Sequence, residues 1–139
     1  MQRLSILLSI QKQWLVPAGL LIVVLVVAAC GSQDSPIAAV QNYLNARVAA
    51  DDTKMVALTC KDQESLAETE AASFKSMNAK LDSVSCAQAG TDGQFTVVAC
   101  QGSILTTYNG ETTTRTLAGK NFRTIQEDGQ WKVCGYQGQ

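Results

Sequence analysis

The chain has 139 residues, with 11 lysines and arginines against 12 aspartates and glutamates, a net charge of −1, and no histidine. That balance disfavours nucleic acid, whose binding needs a basic footprint. The missing histidine removes the histidine-containing zinc ligand sets and the usual serine and cysteine triads.

The first segment to carry information is apolar. Residues 15–29 hold no charge, Arg3 and Lys12 precede them, and the small pair Ala28-Ala29 stands directly before Cys30. A basic start, an apolar run of this length and a small-residue cleavage site make a secretory signal peptide. The run is short for a spanning helix, which needs about 20 apolar residues. Val27-Ala28-Ala29-Cys30 resembles the lipobox of bacterial lipoproteins. That resemblance implies cleavage before Cys30 and acylation of its thiol, and several acyl chains together hold a protein firmly on a bilayer. An uncleaved anchor helix is the competing expectation, weakened by Lys12 and Gln13 between the two apolar stretches. The expected organisation is a signal peptide over 1–29, a lipidated cysteine and tether over 30–35, and a single α+β domain over 36–137. The expected location is the outer face of the cell membrane. With Arg3 and Lys12 removed, nine basic residues face 12 acids, a net charge of −3.

Ser35-Pro36 opens a helix, with serine as N-cap and proline at the first helical position. Ile37, Val40, Tyr43, Leu44 and Val48 recur on one face of it. Asp51-Asp52 stops this helix and caps a second over residues 53–59, where Met55, Val56 and Leu58 are apolar. A third helix is expected over residues 62–80, with Asp62, Glu64 and Glu68 early, Lys75 and Lys80 late, and a stripe of Leu66, Phe74, Met77 and Leu81. From Leu81 the period changes to two. Thr91-Asp92-Gly93 is read as a turn and residues 95–108 as a long strand. Asn109-Gly110 is a strong hairpin signal. Residues 112–126 follow as one strand bent at Gly119, then Asp128-Gly129 as a second hairpin and residues 130–136 as the last strand.

Two-residue hairpins at 109–110 and 128–129 place Ile104 opposite Arg115 and Cys134 opposite Arg123. A first turn of three or five residues places Cys86 opposite Cys100. One face then collects Val84, Cys86, Val98, Cys100, Ile104, Tyr108, Leu117, Ile125, Cys134 and Tyr136. The other receives Thr112, Thr114, Thr124, Gln126 and Lys132, with Phe95, Trp131 and Val133 as exceptions. Four cysteines in an exported chain point to two disulfides, in any of three connectivities. The registry selects Cys86–Cys100 as cross-strand neighbours, which leaves Cys134 for Cys60. A bulge at Gly102 or Gly119 shifts this registry. No cysteine pair has zinc-site spacing, and neither a metal nor a cofactor is expected.

Three helices followed by a curved four-stranded antiparallel meander resemble the cystatin-like, nuclear-transport-factor-2-like cone fold shared with ketosteroid isomerases. The residues carrying the resemblance are 39–46 (AVQNYLNA) and the closing hairpin 122–136 (FRTIQEDGQWKVCGY). With the cysteine positions, they are also similar to small lipoproteins of filamentous green bacteria (Chloroflexi). Such a cone implies a cavity between helices and sheet, for which Tyr43, Phe74, Tyr108 and Trp131 are the candidate lining residues. The implied function is a non-catalytic module that binds a small apolar ligand or a partner protein. The partners expected are the membrane, through the lipid on Cys30, and that ligand or protein; nucleic acid is not among them. The alternative is an isomerase or dehydratase using the cone cavity. It lacks the usual dehydratase histidine, and its acids are explained by helix starts (Asp51, Asp52, Asp62, Glu64) and turns (Asp92, Asp128).

Overall fold

The computed structural model describes residues 34–138, so the apolar segment, its cleavage site and Cys30 lie outside the described residues. Among the described residues, no helix is long and apolar enough to cross a membrane. Ser35 accepts a hydrogen bond from the Ala38 N–H at 3.1 Å, and Pro36 begins α1 (Pro36–Val48). Asp51 caps α2 (Asp52–Leu58) in the same way, accepting from the Lys54 N–H at 2.9 Å. A single 3-10 turn (Lys61–Gln63) leads into α3 (Glu64–Phe74).

α3 ends six residues earlier than its periodicity implies. Asn78–Asp92 is instead a strand, β1, whose first residues pair with the far end of β2 (Phe95–Tyr108), Asn78 opposite Thr107 and Leu81 opposite Ile104. The spacing of Phe74, Met77 and Leu81 suits a helix, but pairing with β2 gives the segment a ladder partner, and the tertiary partner wins. The buried face of α3 is correspondingly Ala67, Ala71 and Phe74, while Leu66 is 60% exposed. Small residues at i and i+4 let this helix lie close against α1 and α2.

The sheet is antiparallel and not closed. β2 carries β1 on one edge; on its other edge β3 (Glu111–Thr116) and β4 (Lys120–Glu127) follow one another, and β5 (Gln130–Gly138) pairs with β4. The expected single strand over 112–126 is thus broken at Leu117-Ala118-Gly119, giving five strands in four rows. The Leu117 N–H donates to the Gly102 carbonyl at 2.9 Å, and the Lys120 N–H to the Leu117 carbonyl at 3.0 Å. Ile104 lies opposite Arg115 before the break, but Val98 lies opposite Phe122 after it, a slip of one residue. Such a slip exchanges the two faces of a strand. Phe122, Thr124 and Val133 are therefore fully buried, where Ile125 was expected inside and Thr124 and Val133 outside. The Thr124 hydroxyl is satisfied by the Thr96 carbonyl at 2.8 Å.

Among the described residues there are two disulfides. Cys60–Cys134 spans 5.0 Å between Cα atoms and joins the end of α2 to β5, beside a hydrogen bond from the Cys60 N–H to the Val133 carbonyl at 2.9 Å. Cys86–Cys100 links β1 to β2. Its register arises differently from the expectation. The first turn has only two residues, Gly93 and Gln94, and an irregularity between Gln88 and Gly90 restores Cys86 to its place opposite Cys100. The core lies between helices and sheet, with Val40, Leu44, Met55, Leu58 and Phe74 on one side and Val98, Cys100, Ile104, Leu117, Phe122 and Val133 on the other.

Candidate functional site

A hollow of about 520 Å³ opens between α3 and the β4–β5 end of the sheet. α3 supplies Leu66, Thr69, Glu70 and Ser73 at helical spacing, α1 supplies Tyr43, and the sheet supplies Arg123, Cys134 and Tyr136. Leu66 and Tyr136, the latter 38% exposed, are two of the few large apolar side chains left in contact with water.

Tyr43 and Glu70 on its inner wall belong to a polar network that joins two helices. The Tyr43 hydroxyl donates to one Glu70 carboxylate oxygen, and the Arg47 guanidinium pairs with the other. Tyr43 and Arg47 stand four residues apart, on the same face of α1. The guanidinium also packs 5.1 Å from the centre of the Phe74 ring and 5.8 Å from that of Tyr136. Burial, followed by the charge and hydrogen bond of Glu70, pushes the Tyr43 phenol far above its ordinary range. Arg123 borders the hollow from the sheet, 4.9 Å from the Phe95 ring, with its Nε buried and without a hydrogen-bond partner.

Of the four lining residues expected from sequence, the structure brings only Tyr43 to this hollow. Phe74 is buried in the core beneath Arg47, because α3 turns that residue inward with Ala67 and Ala71. Tyr108 is 57% exposed at the β2–β3 hairpin, opposite Glu111. Trp131 is half-buried opposite Gln126 near the last hairpin, away from the hollow. Glu70 and Arg47 were not identified from sequence. Their signal was an acid next to Ala71 within a stripe of small residues, too far into α3 for any capping role.

Among the described residues, no cluster of three or more histidine, cysteine, aspartate or glutamate side chains is arranged to hold a metal ion. No known protein family matches the sequence, and neither does any curated protein. Among solved structures, the chain is similar to a SEC-C-motif-containing protein from Rhodopseudomonas palustris, with 14% identity and a TM-score of 0.53 over 78% of this chain and 81% of that one. It is also similar to the helical cell shape determining protein Pgp2 from Campylobacter jejuni, with 10% identity and a TM-score of 0.49, over 72% of this chain and 38% of that one. The first likeness supports the α+β architecture and nothing finer.

Proposed function

We propose that residues 36–137 form a non-catalytic binding module of the nuclear-transport-factor-2-like cone type, carried outside the cell on a lipidated Cys30. Its ligand is a small, largely apolar molecule with a polar group, held in the hollow between α3 and the sheet. The observation that carries this reading is the pairing of exposed Leu66 and Tyr136 with an inner wall of Tyr43 and Glu70. A concave site of this volume, apolar with a few fixed polar groups, is the usual form of a small-molecule pocket. Both Glu70 oxygens are engaged, by Tyr43 and Arg47, which supports a binding role over proton abstraction.

The test is chemical-shift mapping of the oxidised full chain against a set of small neutral aromatic and aliphatic amides. Binding should perturb the amides of Leu66, Ala67 and Tyr136, and Leu66→Asp should abolish it without unfolding the domain. A set of fragments that leaves these amides unmoved, or moves only others, refutes the proposal. Intact mass spectrometry of the protein from its native membrane tests the anchor: an N-terminus that begins at an acylated Cys30 is expected, and an uncleaved chain overturns that part.

A further inference from the structure

A second hollow, of about 320 Å³, lies where the third row of the sheet breaks. Its chemistry differs from that of the first. Arg47 enters from α1, Arg115 from the end of β3 and Lys120 from the start of β4, with Ile104, Leu117 and Tyr136 as apolar walls. Among the described residues, no carboxylate lines it. Three cations thus converge within a segment whose acids outnumber its bases.

Like charges are not gathered in this way without a cost, and here little on the protein offsets it. Among the described residues, neither Arg115 nor Lys120 has a carboxylate within ion-pair distance. Lys120 rests 5.0 Å from the centre of the Tyr136 ring, which fixes its position without neutralising it. Arg47 is the most informative member. Its side chain is only 9% exposed, Glu70 takes its terminal nitrogen, and its Nε is buried with no hydrogen-bond partner. A buried N–H of a charged group left unpaired is costly, and an acceptor from outside would satisfy it.

We propose that this hollow is an oxyanion site, taking a phosphate or carboxylate group on a ligand with a short apolar part. The oxyanion sits among Arg47, Arg115 and Lys120, and the apolar part lies against Leu117 and Ile104. The site is separate from the Leu66 hollow, with which it shares Tyr136 as a common wall.

The experiment titrates the oxidised full chain with inorganic phosphate and with benzoate, and in a parallel arm with vesicles of anionic or zwitterionic phospholipid. Saturable shifts at Gly119 and Lys120 are expected, weakened by added salt. Arg115→Gln/Lys120→Gln should weaken binding at least about tenfold, the scale of one lost charge-assisted hydrogen bond. Both side chains reach solvent, so the variant should keep its melting temperature, and Leu66→Asp should leave anion binding intact. Binding confined to anionic vesicles and lost in the double variant supports the same site with a lipid headgroup as the source. Absence of binding in both arms, or binding that the double variant retains, overturns the assignment.

Discussion

Glu70 of α3 lines the larger hollow and Arg47 of α1 pairs with it from behind that wall, so one ion pair ties the two helices together. Removing the acid leaves a guanidinium that is nearly out of water. Glu70→Ala is expected to cost about 3 kcal/mol in urea unfolding, the lower end for a broken buried pair because Glu70 keeps some contact with solvent. Tyr43→Phe removes one hydrogen bond to a charged group and should cost about 1.5 kcal/mol. Its effect on pH dependence is more diagnostic. The folded phenol titrates well above its ordinary value of 10.0 because it is buried beside Glu70. The neutral phenol therefore contributes fully below about pH 10, and the contribution is lost as the pH rises past that point, where only the unfolded chain releases the proton. Wild type should lose stability steeply above that pH, and Tyr43→Phe should flatten the slope. An unchanged slope would show that Tyr43 is not held in this way.

The elements owe their ends to partners as much as to their own residues. Gly102 lies in β2 with φ near +94°, and a Cβ there would come within 2.5 Å of the Ser83 carbonyl oxygen of β1. The neighbouring atom is backbone and cannot move aside, so Gly102→Ala should lower stability by about 2–3 kcal/mol in urea unfolding. On α3 the contrast is between faces. Ala71→Leu places a large side chain where the helices are closest and should cost about 1–3 kcal/mol. Leu66→Ala, on the open face, should change the melting temperature little, since such sites stay within about 0.5 kcal/mol. The local signals were legible in the sequence: the Ser35-Pro36 cap, the Asp51 cap and the Asn109-Gly110 and Asp128-Gly129 hairpins appear where their chemistry puts them. The end of α3 and the break at Leu117-Ala118-Gly119 were not. In both places the local pattern fits two structures equally, and a strand of β2 far along the chain decides between them.

For the molecule as a whole, the two disulfides differ in what they close. Cys60–Cys134 spans 74 residues of sequence and Cys86–Cys100 spans 14. By chain entropy these correspond to about 4 and about 3 kcal/mol. Replacing Cys60 and Cys134 by serine should therefore lower the urea midpoint more than replacing Cys86 and Cys100, and the reverse order would show that the hairpin link matters more than loop length. The sequence by itself determined the helix caps, the hairpin turns, the α+β order of elements and the cysteines available for oxidation, because each depends on residues within a few positions of one another. Only the tertiary structure decided which face of β4 is inside, where the third row breaks, and that Tyr43, Arg47 and Glu70 meet. A one-residue slip at the Leu117-Ala118-Gly119 break moves Phe122, Thr124 and Val133 into the core. An ion pair between residues on separate helices has no spacing of its own to read, and it exists only once the helices are packed.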